Sequence, residues 1–356
     1  MMKRFFLTYA VGAVIISGCT GGGDLSAPVS REEMEAVYQE VKTPVKHGLV
    51  VTPSDPECKS DSPSVFRYEG KWYMTWIVFD GKGYETWLSE SDDLLNWTTL
   101  GRILSYTNDS WDKFQRAGYI ALQDTEWGGS YELGRFDGHY WMSYLGGCNP
   151  GYETEPLMIG LASTDTPDKA REWHTEDAPV LSPLDADSQW FEKRTQYKST
   201  IIEDKERLTG HRFVIYYNAK GMNSGNGYTA ERIGMAFSDD LKHWERYKGN
   251  PILAHETDHT ITGDPQIQKI GRLYVMFYFR AFDPDKPYKA YNTFACSRDL
   301  IHWYDWQGED LIYPSEPYDN LFAHKSHVVR WNGVTYHFYC AVDDSNRRGI
   351  AVATSK

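Results

Sequence analysis

Ser91-Asp92-Asp93-Leu94-Leu95-Asn96-Trp97, Ser238-Asp239-Asp240-Leu241-Lys242-His243-Trp244 and Ser297-Arg298-Asp299-Leu300-Ile301-His302-Trp303 are one phrase, Ser-x-Asp-Leu-x-x-Trp, written three times. Each copy closes a segment that reads as a small antiparallel sheet. A turn-plus-aromatic signature recurring at tens of residues marks a repeat architecture, in which each unit stacks on the next because it cannot bury its apolar face alone.

Five units can be traced outward from these copies. The first opens at Asp61-Ser62-Pro63-Ser64-Val65-Phe66, turns at Glu69-Gly70-Lys71, continues Trp72 to Trp76, turns again at Asp80-Gly81-Lys82-Gly83 and runs on into the first copy. That order, strand and Gly-rich turn in alternation, is the pattern of a four-stranded meander blade. The second unit runs through Tyr119-Ile120-Ala121-Leu122 and Arg135 to Tyr144, the third through Lys198 to Ile202 and Phe213 to Tyr217, and the fourth through Gly263 to Ile267 and Leu273 to Phe279. The fifth, from His324-Lys325-Ser326-His327, stops before a fourth strand, and Lys46 to Val51 is placed to supply it. The expected fold is all-β, a five-bladed β-propeller over residues 46–356 with a short N-terminal helical arm at Arg31 to Val41.

The first residues give Lys3-Arg4, an apolar run from Phe5 to Ile16, and Ser17-Gly18-Cys19. The run is too short to span a bilayer, and small residues ahead of a cysteine read as a processing site. It resembles a bacterial lipoprotein signal. This implies removal of residues 1–18, lipidation of Cys19, and a tether and arm over residues 19–45. The expected location is the outer membrane of a Gram-negative bacterium, at its periplasmic face or the cell surface, with the lipid anchor as the only membrane contact. The other cysteines, Cys58, Cys148, Cys296 and Cys340, form no CxxC pair and match neither a disulfide framework nor a zinc site. A net charge of −13 without a lysine/arginine block argues against a nucleic-acid partner. The 13 Trp and 25 Tyr suit sugar stacking as well as the packing of sheets.

In a propeller the start of each opening strand points at a common axis. In order these positions hold Asp61, Gly118-Tyr119, Lys198, Asp264, and His324 with Lys325, followed on the same strand by His327. Carboxylates, lysines and a histidine converging on one mouth are desolvated without an evident structural task, which marks them as functional candidates.

The openings Asp61-Ser62-Pro63-Ser64-Val65 and Gly263-Asp264-Pro265-Gln266-Ile267, with the recurring phrase, resemble the five-bladed propeller glycosidases of families 43, 117 and 130, with family 117 nearest in residue order. The resemblance covers Gly48 to Lys356. It implies that Asp61 is the general base, that Asp264 tunes and orients the site, and that the anomeric centre is inverted, with room for water between base and sugar. Family 43 carries a glutamate proton donor at a middle blade opening, where this chain has Tyr197-Lys198-Ser199. The donor is therefore expected to be His324, with Glu231 as the alternative. Lys198, Lys325, Arg232, Glu85, Trp87, Tyr119 and His327 are the substrate-binding candidates. The two lysines fit an anionic sugar or phosphate, or else serve as partners of the aspartates. Trp127 and Trp190 are further stacking candidates, His255-Glu256-Thr257-Asp258-His259 reads as a polar rim loop, and so does Gly221 to Gly227. No cofactor is expected, although a cation such as calcium can sit on the axis of such folds. The function expected is exo-acting, inverting hydrolysis of oligosaccharides from plant or algal polysaccharide. The alternatives are a non-catalytic glycan-binding propeller and a glycoside phosphorylase.

Overall fold

The computed structural model describes residues 25, 27–221, 230–255, 257 and 259–356. Cys19 and the export signal lie outside them, as do Glu256, Asp258 and residues 222–227 of the two rim loops.

Helix α1 (Arg31–Val41) starts where Ser30 and Glu33 form a capping box, the Ser30 hydroxyl accepting from the Glu33 backbone and the Glu33 carboxylate accepting from the Ser30 N–H at 2.9 Å. It buries Met34, Val37 and Val41 in one cluster with Val275, Phe277 and Phe294. Polar ties add direction: Tyr38 donates to Glu309 at 2.7 Å, and Glu40 accepts from Trp127 and Arg330. The segment before Pro44 is extended, and the helix ends there.

Strand β1 (Val45–Val51) precedes a first group of β2 (Lys59–Tyr68), β3 (Lys71–Phe79), β4 (Tyr84–Ser91) and β5 (Thr98–Leu104). A second group is β6 (Gln115–Ile120), β7 (Tyr140–Gly147), β8 (Met158–Thr164) and β9 (His174–Thr175). A third is β10 (Thr195–Glu203), β11 (Phe213–Lys220), β12 (Glu231–Ser238) and β13 (Glu245–Arg246). The fourth is β14 (Ile261–Ile270), β15 (Leu273–Ala281), β16 (Ala290–Ser297) and β17 (Tyr304–Asp305), and the last is β18 (Phe322–Trp331), β19 (Val334–Val342) and β20 (Arg348–Thr354). Within each group consecutive strands pair antiparallel, and β1 pairs with β20, as the missing last strand required. Single parallel bridges, Tyr84 to Gln115 and Glu231 to Ile261, join groups into two eight-stranded sheets beside the four-stranded one.

The repeated phrase is a self-contained turn between the third and fourth strands of the first, third and fourth groups. Ser91 Oγ accepts from Leu94 N at 2.9 Å, and Asp93 Oδ1 accepts from Leu95 N at 2.9 Å and Asn96 N at 2.7 Å. Trp97 Nε1 returns to Leu94 O at 3.1 Å, and Asp240 and Asp299 repeat the aspartate bonds. Leu94, Leu241 and Leu300 take φ of 68, 65 and 67°, a left-handed conformation held by these bonds while each leucine is buried. Every hydrogen bond of the turn lies within seven residues, so the repeat is visible in sequence. Cys296 and Cys340 are buried, Cys58 is half-buried and Cys148 exposed, and all four are free thiols.

Candidate active site

The first strands of the five groups carry their distinctive chemistry at the fourth residue: Ser62 on β2, Gly118 on β6, Lys198 on β10, Asp264 on β14 and Lys325 on β18. In four of them the ladder slips here, between Asp61 and Ser64, Gln196 and Ser199, Gly263 and Gln266, and His324 and His327. Such bulges turn a side chain out of the sheet. Ser62, Asp264 and Lys325 have φ of 38, 57 and 58°, a region where a non-glycine residue costs about 1–3 kcal/mol and which functional sites favour. Since Pro63 and Pro265 both hold the fifth place, Ser62 is the positional equivalent of Asp264. Asp61, which the opening motifs pair with Asp264, stands one residue earlier on its strand.

These strands surround a pit of about 260 Å³ to which every group contributes. Asp61 and Asp264 share it although 203 residues separate them, and Ser62 Oγ donates to Asp264 Oδ2 at 3.1 Å. Asp61 is clamped. Its Oδ1 accepts from Ser62 N at 2.9 Å, and its Oδ2 lies 2.8 Å from Lys325 Nζ and 3.2 Å from Arg348 Nη1. Burial alone would raise the Asp61 carboxyl, but Lys325 and Arg348 overcome it and hold the group well below the usual carboxylate range. Burial works against the Lys325 ammonium as well, and Asp61, then Tyr152 and Glu153, keep its pKa well above the ordinary value.

Glu231, the first residue of β12, has the opposite environment. Burial, reinforced by the negative charge of Glu153, pushes its carboxyl up to about 7, against a bond of 3.1 Å from Asn218 Nδ2. Gly263 makes this approach possible, because a Cβ there would meet Asn218 Nδ2 at 2.4 Å. Glu153 accepts from Tyr84 OH at 3.1 Å on Oε1 and stands 3.7 Å from Lys325. His324 faces the same pit, with Nδ1 3.2 Å from Cys340 O; burial and then Lys325 push its pKa down to about 3, so the ring is neutral.

Of the other candidates, Lys198, Lys325 and Tyr119 line the pit. His327 lies beneath it, in a cavity of about 20 Å³ that shares Lys198. Arg232, Glu85 and Trp87 are not at the pit: Arg232 lies 4.7 Å over the Trp190 ring, Glu85 pairs with Arg102 at 3.1 Å, and Trp87 packs on Trp76 in a core cluster. Trp127 is held by Glu40 of the arm, and His255 bridges Thr262 and Asp305. Sequence reasoning missed Glu153, Tyr152, Tyr84, Asn218 and Arg348, which come from loops or from later strands and carry no opening-strand signature.

An axial cation has one candidate ligand set among the described residues, Asp61, His324 and Cys340, whose ligand atoms lie within 4.8 Å of one another. Asp61 is already shared by two fixed cations, and calcium needs six to eight oxygens. These residues do not fit it.

A concave pit in an all-β body, built around one clamped carboxylate and one raised carboxyl, is a site for acid–base chemistry on a small polar ligand. Comparison with solved structures makes this specific. A structure of BT0996 in an RGII complex is 55% identical, with a TM-score of 0.91 over 92% of this chain and 96% of that one. A second, described as "Glycoside hydrolase", is 54% identical with the same TM-score and the same coverage. The protein belongs to the glycoside hydrolases, and it is an enzyme rather than a binding module alone. A family-43 enzyme (18% identity, TM-score 0.61), the family-117 enzyme Zg3597 of Zobellia galactanivorans (16%, 0.63) and a GH130 enzyme (14%, 0.62) share the fold. No family model matches the chain, and no curated protein does.

Proposed function

We propose that the protein is an exo-acting, inverting glycosidase in which Glu231 protonates the leaving oxygen and Glu153 activates the water. The observation that carries this reading is the Glu231 carboxyl, held to about 7 inside the pit by burial and by Glu153. A donor must keep its proton near neutrality and give it up in the transition state, which a carboxyl near 7 does. A neutral His324 has no imidazolium proton to give. Asp61, with both oxygens bonded and its charge stabilised by two cations, is a weak base and acts as the electrostatic anchor of the floor. Among the described residues Glu153 accepts a single hydrogen bond, and its side chain is a quarter exposed, so it can reach water. Asp264 orients the sugar.

Five blades closed around this pit are supported by the grouping of strands in fours and by the pairing of β1 with β20. A pit admits the end of a glycan rather than its middle, which favours exo action. The relative's RGII complex makes an RGII oligosaccharide the substrate to try first. Export, lipidation at Cys19 and an outer-membrane location complete the proposal.

The test is kinetic. E231Q loses roughly 10²- to 10⁴-fold in kcat/KM on an RGII oligosaccharide but much less on an aryl glycoside whose leaving group needs no proton. It also abolishes the alkaline limb of the pH profile. E153Q loses comparable activity on both substrates, and azide restores part of it. If H324A shows the leaving-group selectivity instead, or D61N the azide rescue, these assignments fall. NMR of the first-formed anomer reads the stereochemistry, and sugar 1-phosphate formed in phosphate buffer would make the enzyme a phosphorylase.

A further inference from the structure

Lys198 is 2% exposed, lines both the pit and the small cavity beneath it, and lies 5.4 Å from the Tyr119 ring centroid. Its Nζ finds no hydrogen-bond acceptor among the described residues. The other two cations of the pit are both engaged with Asp61. Asp264 is 3% exposed and accepts from Ser62 through Oδ2. Burial lowers the Lys198 pKa below its ordinary value, and Asp264 opposes this through space without a contact ion pair. The floor therefore presents a donor-only ammonium and an acceptor-only carboxylate that do not satisfy each other.

A group serving both must accept from one and donate to the other. A hydroxyl does so. A carboxylate can accept from Lys198 but has nothing to give Asp264, and it would enter among Asp61, Asp264 and Glu153. Lys325, which with Lys198 suggests an anionic ligand when the sequence is read alone, is neutralised by Asp61.

We propose that Lys198 and Asp264 are a specificity pair that reads adjacent free hydroxyls of an uncharged terminal sugar, and that the pit discriminates against uronates. This rests on the pit being the sugar site proposed above and adds the class of sugar. Lys198 donates to a ring hydroxyl, and that hydroxyl or its neighbour donates to Asp264. A sugar substituted at these hydroxyls does not seat.

Binding is measured by calorimetry and ligand-observed NMR in E231Q, so that turnover does not enter. Two series vary only the C5 substituent through hydrogen, hydroxymethyl and carboxylate: L-arabinose, D-galactose and D-galacturonate; D-xylose, D-glucose and D-glucuronate. In the series that binds, the neutral members exceed the uronate by about tenfold or more. K198M weakens neutral binding by about tenfold or more while thermal melts show a folded protein, and K198Q, which keeps an N–H donor, restores part of it. Tighter binding of a uronate, abolished by K198M, would overturn the proposal in favour of an anionic subsite. Neutral binding unchanged in K198M, or no neutral binding up to about 100 mM, would also overturn it. Failure of the Glu231 assignment is separate, since it appears as undiminished turnover in E231Q and leaves this series unaffected.

Discussion

The two ends of the opening strands are built on different principles. At their starts lie the pit, three left-handed non-glycine residues, a doubly clamped aspartate and a lysine without a protein acceptor among the described residues. At their far ends the loop between β6 and β7 crosses from group to group and engages backbone at each. Gln123 Nε2 donates to Val65 O at 2.7 Å, Leu122 N to Ile201 O at 3.0 Å and Trp127 N to Lys269 O at 3.0 Å, while Tyr131 OH accepts from Gly128 and Arg330 N–H groups at 3.1 and 2.8 Å. The same strands thus end in backbone hydrogen bonds from one crossing loop on one side and in charges with unmet capacity on the other. Left-handed backbone occurs at both ends, since Leu122 and Tyr131 of the loop have φ of 57 and 55°; what sets the pit apart is its buried charge, part of it without a protein partner among the described residues.

The largest test of this contrast is D61N. Asparagine leaves Lys325 and Arg348 buried against an uncharged partner, and breaking one side of a buried ion network costs about 3–5 kcal/mol. Denaturant melts should show this loss together with loss of activity. A variant that keeps its stability would mean that the clamp belongs to catalysis alone.

Acid acts on the buried groups with both signs. Burial holds His324, His327 and His337 down to about 3 against an ordinary 6.5. Between those values the unfolded state takes up protons that the folded one refuses, so stability is intact above pH 6.5 and falls below it. At pH 5 each histidine removes about 2 kcal/mol relative to pH 8. His337 lies away from the pit against Phe277 and Tyr339, and H337F should recover its share in melts at pH 5 without changing turnover. Glu231 works the other way. Its carboxyl is raised from 4.5 to about 7, so the folded state keeps a proton that the unfolded state releases, and stability falls as pH rises through this window. E231Q should therefore be the more stable protein above pH 7, by up to about 3 kcal/mol.

The closed end answers to a smaller change. Y131F removes the acceptor of two backbone N–H groups and should cost about 1–3 kcal/mol, with kcat/KM at 25 °C unchanged. A shift in activity comparable to that at the pit would mean the ends are coupled.

What could be read in advance divides along the same line. The turn phrase and the Pro-marked openings Asp61-Ser62-Pro63 and Asp264-Pro265 act through close neighbours in sequence, so strand order, the closing strand and two pit carboxylates were legible. Lys325 and Arg348 meet Asp61 across 264 and 287 residues; the opening-strand position already offered Lys325 as a partner of an aspartate, but nothing local marks Arg348. Glu153 sits in a loop, Asn218 on a second strand, and the Glu231 carboxyl is raised only because the fold buries it beside Glu153. A choice between His324 and Glu231 made on unperturbed pKa values leaves out burial, and the same desolvation lowers the histidine to about 3 and raises the glutamate to about 7.

Ser62 offers the finest division between strain and chemistry, because it stands where Asp264 and Lys325 stand but carries no charge. Ser62→Ala removes the bond to Asp264 and keeps the left-handed backbone; Ser62→Gly removes the bond and relieves the backbone. Both should lose sugar affinity to the same degree, since the Asp264 carboxylate is freed alike. Their stabilities should differ by about 1 kcal/mol in favour of glycine, and that difference measures the strain at φ 38° directly. Equal stabilities would show that the bulge, rather than the residue in it, sets the cost, and the strain would then belong to the strand that Asp264 and Lys325 share in kind.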